Sequence, residues 1–297
     1  MEDLDYINKI NNQIITIDNI NRTNDCFLRY LFSDAGSENI VLNFINAVMK
    51  NLNFVTFSKI EILNPFNLAK YLQSKESIMD IKCSTESGEI VLIEIQLQGN
   101  REFIYRTLFY WANGYSVLLN KGENYNKLHP VISINILDFK LIDVIDDIHT
   151  CYVLKEIKHN NILTDHCQFH FIELPKFKNN HDNNEMKKEF LSWIKFFKGD
   201  KMDNLLKENT VFEQVKLKSE SFLNNNPLTD TYRRKEIDEY FNKRMLDYEL
   251  NEAERKGIEK GKTEQQITIA KNLKTAGIDI KIISENTGLS IEEIEKL

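Results

Sequence analysis

Two carboxylates and one amide, all within a short stretch, carry the clearest chemistry in this sequence. The stretch 77–98 reads SIMDIKCSTESGEIVLIEIQLQ, two strand-like runs joined by a polar turn at 86–88. A three-residue hairpin loop with glycine last, in the left-handed position, is a favoured connection. Its register sets Asp80 opposite Glu94, with Cβ atoms about 5 Å apart. Gln96 lies on the same face, because side chains alternate along a strand.

Two carboxylates this close repel each other, and a hard divalent cation with oxygen ligands is the usual compensation. The run IVLI at 90–93 is apolar on both sides, which predicts a strand covered on both faces and a Glu94 removed from water. One interpretation of the stretch is therefore a metal site. The alternative is a hairpin at a sheet edge with solvent-facing carboxylates, and the pattern alone does not choose between them.

A helix predicted at 101–120 follows the hairpin and offers a cation. Arg106, Tyr110 and Asn113 recur at spacings of four and three, so they lie together on the helix surface. A guanidinium near the carboxylates would suit a phosphate group. The alternative is a surface arginine whose stem packs on Tyr110. The predicted apolar face consists of Phe103, Ile104, Leu108, Trp111, Ala112 and Tyr115.

This constellation resembles the PD-(D/E)xK nuclease superfamily: Asp80, then Glu94-Ile95-Gln96, then the helix with Arg106. Within it the chain is similar to the Rpn-type group of recombination-promoting nucleases and predicted transposases. The resemblance covers most of the chain. Met79 stands where the superfamily has proline, and Gln96 where it has lysine. Glutamine is the Rpn-like group's own pattern, but it removes a positive charge near the scissile phosphate. The other segments that carry the resemblance are 25–32, 62–65, 125–139 and the C-terminal tail.

The resemblance implies an α/β fold, a restriction-endonuclease-like mixed β-sheet core flanked by helices and followed by an α-helical C-terminal region. It also implies a Mg²⁺-dependent DNA endonuclease, active with Mn²⁺ in vitro, in recombination, mobile elements or phage defence. Asp80 and Glu94 would hold the metal with the Ile95 carbonyl. Gln96 would orient the water or a phosphate oxygen, and Arg106 would neutralise charge developing on the phosphate.

A catalytically degenerate nuclease-fold protein, acting as a protein- or DNA-interaction module, is the alternative function. The missing lysine and the net charge of −7 favour it, because phosphate contacts supply most nucleic-acid affinity. Any DNA surface must therefore be local, although bound divalent ions bring their own positive charge.

Composition predicts a globular, cytoplasmic protein. The 297 residues are 42% hydrophobic, enough for one large or two modest domains. Four cysteines without a CxxC pair argue against disulfides and a zinc ribbon. The start has no leader-like segment, and no apolar run approaches the about 18 residues that span a bilayer.

Along the chain we expect three parts: an N-terminal arm at 1–23, a nuclease-like domain with a helical extension at 24–226, and a charged long helix with a helical-hairpin tail at 227–297. Asn24 or Asp25 is expected to cap the first core helix, and capping is favoured over a metal-ligand role for Asp25. Further strands are predicted at 60–63, 130–139, 152–158 and 168–174.

Three further patterns have ordinary explanations that compete with functional ones. His166, Gln168 and His170 would share a strand face, and exposed strand histidines are favoured over a zinc site. The motif GIEKGKT at 257–263 fails the spacing of a phosphate-binding loop, so no nucleotide cofactor is expected. A lysine cluster is either a DNA-backbone patch or a solvated helix face. Its members are Lys187, Lys188, Lys195, Lys198 and Lys201.

The tail predicts two short helices, one starting at Asp279 and stopping at Gly288, the other capped by Ser290 and Glu293. These are helix-turn-helix dimensions, but glutamates in the last helix would repel phosphates. The tail's aliphatic residues predict a homodimer through the C-terminal helices instead. They are Ile278, Ile282, Ile283, Leu289, Ile291, Ile294 and Leu297.

Overall fold

A mixed sheet organises the fold in the computed structural model, which describes residues 2–66, 68–73, 81–178 and 186–297. Its strand order is β1-β2-β3-β4-β6-β5. β3 pairs in parallel with β4, and β4 with β6, while the remaining pairs are antiparallel. The predicted mixed sheet is confirmed. The strands are β1 Ile60–Ile62, β2 Ile81–Thr85, β3 Ile90–Gln96, β4 Val131–Leu137, β5 His149–Val153 and β6 Cys167–Glu173.

Helices flank this sheet and form the C-terminal region, as expected. The first core helix is capped by Asn24, whose side chain accepts from the backbone N–H groups of Cys26 and Phe27. The helices are α1 Glu2–Asn12, α2 Asp25–Ser33, α3 Glu38–Asn51, α4 Leu68–Gln73, α5 Glu102–Ser116, α6 Lys188–Phe197, α7 Met202–Glu208, α8 Val211–Leu223, α9 Asn226–Thr275, α10 Ile280–Thr287 and α11 Ile291–Glu295. None of the described helices is long and apolar enough to cross a membrane.

The β2–β3 hairpin has the predicted register. Gly88 has φ +94°, the left-handed conformation that the loop requires. The Thr85 N–H donates to the Glu89 carbonyl at 2.9 Å, and Ile81 pairs with Ile93. Asp80 itself lies outside the described residues. Because β1 pairs with the other side of β2, the hairpin is not at a sheet edge.

The two faces of the sheet have different covers. One face, which includes Val91 and Ile93, packs against α2, α3, α6, α7 and α8 in one large apolar cluster. The opposite face, which includes Leu92 and Leu137, packs against α5. Gly114 lets α5 approach closely, since a Cβ there would meet the Leu92 side chain at 3.1 Å. Residues 90–93 are therefore buried on both sides, as predicted.

Two compact units divide between Ile237 and Asp238. The first extends beyond residue 226 because Leu228 and Tyr232, early in α9, are buried in the main core. The segment expected to be an arm contains α1 and a buried arginine. Arg22 donates to the Phe196 carbonyl at 3.2 Å.

The second unit folds its tail back onto the end of α9. Asp279 caps α10, Gly288 ends it in the left-handed conformation, and Ser290 with Glu293 forms the predicted capping box. Part of the tail's aliphatic surface is used inside this unit, which leaves less for association than predicted. Ile283, Leu289 and Ile294 are buried against Ala270, whereas Ile278, Ile282 and Ile291 are exposed.

The histidine prediction is wrong in two respects. His170 is fully buried on the face that α3 and α6 cover, not exposed. His166 precedes β6, where strand alternation does not apply, and its Nδ1 lies 3.0 Å from the Tyr115 hydroxyl of α5. The Nδ1 of His170 lies instead 3.0 Å from His149 Nε2, and Cys151 Sγ is 3.6 Å from its Nε2.

Candidate active site

Arg106 of α5 bridges the polar residues at the end of β3. Its Nη2 donates to Glu94 Oε1 and to Gln96 Oε1, each at 2.5 Å. The Gln96 amide is oriented for this, because its Nε2 donates to the Gln98 carbonyl at 2.6 Å. The carboxylate, the amide and the guanidinium thus lie within hydrogen-bonding distance at one site.

Burial differs sharply between the two charged partners. The Glu94 side chain is only 6% exposed, whereas that of Arg106 is 32% exposed. The Arg106 Cζ lies 4.9 Å from the Phe103 ring centre and 5.8 Å from that of Tyr110. Arg106 therefore takes the position beside the carboxylate that one interpretation predicted, and its guanidinium, not its aliphatic stem, is the part that lies near the Tyr110 and Phe103 rings. A partly open guanidinium above a buried carboxylate can reach an anionic ligand.

A buried polar layer adjoins this site and escaped the sequence analysis. Asn135 of β4 pairs with Glu94 in the parallel register. Its Nδ2 donates to Ser133 Oγ at 3.2 Å and to the His170 carbonyl at 3.0 Å, and its Oδ1 accepts from the Thr107 hydroxyl at 3.4 Å. The sequence feature that could have revealed it is the presence of Ser133 and Asn135 at alternate positions of an otherwise apolar strand, which puts both on one face.

The donor set has the chemistry that a hard cation needs, but the described residues supply only part of it. Glu94 offers a carboxylate and Ile95 a backbone carbonyl, both oxygen donors of the kind that Mg²⁺ prefers. Within the described ranges, no group of three His, Cys, Asp or Glu side chains could hold a metal. The second predicted carboxylate, Asp80, lies outside those ranges.

The other predicted surfaces lie elsewhere. The lysine cluster spans α6, which packs on the face opposite α5. It is partly neutralised, since Lys195 Nζ lies 2.5 Å from Glu208 Oε1. Residues 257–263, the near match to a phosphate-binding loop, are helical within α9. Asp25 lies 3.0 Å from Arg29 and accepts from the Tyr71 hydroxyl at 2.6 Å.

Comparison with protein-family models gives a match over residues 22–249, to the PD-(D/E)XK nuclease family transposase. The chain belongs to this family. The matched range contains β1–β6, Glu94, Gln96 and Arg106, and it ends within α9. A search of curated proteins and a search of solved structures each returned no match. Membership supports a nuclease or transposase-associated role, and nucleases of this family generally use divalent metal ions.

Proposed function

We propose that this family member is a metal-dependent DNA endonuclease that hydrolyses phosphodiester bonds. The observation that carries the proposal is the Arg106 guanidinium bound to Glu94 and Gln96 at the end of β3. Arginine binds phosphate oxygens with two parallel hydrogen bonds, and a partly buried guanidinium does so strongly. DNA is the substrate that family membership suggests.

Asp80 and Glu94 would hold the cation, with the Ile95 carbonyl as a further ligand. Asp80 directly precedes Ile81 in the chain, and Ile81 pairs with Ile93, the neighbour of Glu94. One further pair in the same antiparallel ladder would join positions 80 and 94. Mg²⁺ is the proposed ion, with Mn²⁺ as a substitute in vitro. When bound, the ion supplies Lewis-acid activation of water and neutralises charge on the phosphate.

Arg106 would bind both Glu94 and the substrate. Glu94 is both the proposed cation ligand and the partner of Arg106, and the Arg106 side chain is 32% exposed, so its guanidinium would be shared between this carboxylate and a substrate phosphate oxygen. Gln96 can donate and accept hydrogen bonds but carries no charge. In this proposal Arg106 therefore supplies the positive charge that the superfamily pattern places on lysine.

Supercoiled-plasmid cleavage with Mg²⁺ or Mn²⁺ tests this function. Asp80→Ala and Glu94→Ala should each abolish cleavage and weaken cation binding by calorimetry, while the circular-dichroism spectrum is unchanged. Glu61→Ala is the matched control, because Glu61 is a strand carboxylate exposed on β1. Equal cation binding by all four proteins would contradict the metal site.

A catalytically degenerate interaction module remains the alternative, favoured by the net charge of −7. Wild-type protein that binds partners but cuts no DNA would establish it.

We also propose that the tail forms a homodimer through the exposed Ile278, Ile282 and Ile291. Truncation after Ile237 keeps the whole first unit and should give a monomer by light scattering, with nicking retained and double-strand breaks reduced. A truncated dimer would contradict the tail assignment.

A further inference from the structure

Two large aromatic side chains project from α5 beside the candidate active site. Tyr105 is 72% exposed and Phe109 is 62% exposed. They are four residues apart on one helix, so they are surface neighbours. Arg106, adjacent to Tyr105 in sequence, holds Glu94 and Gln96. We call Tyr105 and Phe109 the aromatic ridge.

The position of the ridge relates it to the phosphate site. Arg106 and Phe109 are three residues apart, within one helical turn of about 5.4 Å. Phe109 also meets Tyr110 at 6.2 Å between ring centres, and Tyr110 supports the Arg106 guanidinium. A nucleotide whose phosphate contacts Arg106 would therefore bring its base within reach of the ridge.

Base stacking is the chemistry that exposed rings offer to such a nucleotide. Bases in a duplex already stack on each other, whereas an unpaired base has a free face for an aromatic side chain. Stacking also needs no positive charge. This matters in a chain of net charge −7, where phosphate contacts alone give little affinity.

We propose that the aromatic ridge stacks unpaired bases, so that the site takes single-stranded or locally unpaired DNA in preference to duplex. This rests on the proposed nuclease function and names its substrate class. Tyr105 and Phe109 are specificity residues here, and the phosphodiester chemistry belongs to the residues at the end of β3.

A protein partner is the competing occupant, because an apolar cavity of about 520 Å³ adjoins the ridge. Tyr105 and Leu108 line it together with Leu141, Tyr152 and Phe169. Phe109 does not line this cavity, and its spacing of three residues makes it a neighbour of Arg106 on the helix surface. Leu108→Ala therefore separates the two occupants: it alters the cavity but removes no aromatic ring.

The experiment measures binding of the full chain to a fluorescein-labelled oligonucleotide, single-stranded or annealed to its complement, by anisotropy in EDTA so that no strand is cut. Wild type should bind the single strand at least tenfold more tightly. Tyr105→Leu with Phe109→Leu keeps apolar bulk but removes both rings, and should weaken single-strand binding by about tenfold or more. Tyr105→Trp with Phe109→Trp should retain it. Leu108→Ala and Tyr248→Ala, an exposed tyrosine of α9, should bind like wild type.

A strand containing 2-aminopurine supplies a direct signature, since stacking quenches its fluorescence and the leucine variant should lose the quenching. Equal wild-type affinity for both DNA forms, no DNA binding, or unchanged binding by the leucine variant overturns the proposal. The proposal is also overturned if single-strand binding is unchanged while the mass measured by light scattering changes in both the leucine variant and Leu108→Ala. That outcome would assign the surface to a protein partner. If binding follows the expectation but no DNA is cut with Mg²⁺ or Mn²⁺, the nuclease function fails and the ridge stands.

Discussion

The two faces of the sheet are built from different materials. The face covered by α2, α3 and α6–α8 packs in one large cluster of aliphatic and aromatic side chains, with Phe44 and Trp193 fully buried at 5.4 Å between ring centres. Its buried polar members include the histidine pair His149 and His170. The face covered by α5 includes the buried Glu94 and Asn135, and α5 itself contributes the buried Thr107. Burying polar groups costs free energy unless they are bonded, so a cover that carries hydrogen-bonding partners is required. The first face thus stabilises the fold, whereas the second contains a polar site whose burial lowers stability.

Phe44→Ala should produce the largest effect and confine it to stability. Phe44 meets Phe32, Trp193 and Phe197 within 5.8 Å. Removing such a ring lowers the free energy of unfolding by about 3–5 kcal/mol. Urea unfolding followed by tryptophan fluorescence measures this, since both tryptophans lie in the first unit.

The cleavage rate per folded Phe44→Ala molecule should match wild type at low temperature. Phe241→Ala, at a half-exposed position on α9, is the control and should change stability by less than about 0.5 kcal/mol. A loss of rate in fully folded Phe44→Ala protein would break the division of labour between the faces.

Arg106→Ala should show the reverse pattern on the α5 face. Removing a donor to developing charge slows a reaction about 10²- to 10³-fold. Cation binding should be retained or become tighter, because Glu94 loses a competing partner. Arg106→Lys should be intermediate, since one ammonium cannot reproduce the guanidinium geometry. Turnover and calorimetry on the same samples check this, with the exposed Arg101→Ala as control. Turnover within threefold of wild type would remove Arg106 from the mechanism.

The sequence predicted the hairpin well because its determinants are local. The turn requires the left-handed conformation of Gly88, and the turn together with period-two alternation sets the pairing of Ile81 with Ile93. The cover of the sheet was less predictable. Leu108 and Ala112 were expected in the apolar face of α5, yet both are exposed. Thr107 and Gly114 are buried instead, because α5 packs closely on Leu92 through Gly114.

The other residues whose surroundings the sequence did not predict also depend on contacts with distant parts of the chain. The burial of His170 depends on Phe54 and His149, which come from distant segments. Asn135 is satisfied by Thr107 and by the His170 carbonyl, neither of which its own strand pattern reveals. Strand register follows from alternation, whereas the partner of a buried polar group depends on which helix covers it.

Acid should destabilise the fold through two histidines that are buried on the face covered by α3 and α6. Burial lowers the pKa of His170 to about 4, and burial with the neighbouring His170 lowers the pKa of His149 well below 6.5. In the unfolded chain both titrate near 6.5 and bind protons first as pH falls. Their contribution is therefore fully present above pH 6.5 and is lost as pH falls toward 4. The loss is up to about 3 kcal/mol for His170.

Urea unfolding across that pH range measures the slope. His170→Gln removes one titration and should give a shallower dependence than wild type, whatever its absolute stability. His159→Gln is the control, because His159 is exposed beside Glu156. Identical slopes in His170→Gln and wild type would show that this pair does not govern the acid response.

Gln96 should give the smallest effect and the finest test of the polar face. Gln96→Ala removes both hydrogen-bonding groups and should lower turnover by about tenfold, a typical cost of one positioned hydrogen bond. Gln96→Lys should cost less, because it restores the superfamily's usual group. It should not match wild type, since Gln96 Oε1 lies 2.5 Å from Arg106 Nη2 and an ammonium there would repel the guanidinium.

Gln96→Lys combined with Arg106→Gln should therefore recover activity beyond either single variant. That coupling, measured as a double-mutant cycle on plasmid nicking, would show that the site needs one positively charged side chain and accepts it at either position. Equal, wild-type turnover in Gln96→Ala and Gln96→Lys would show that Gln96 only supports the fold.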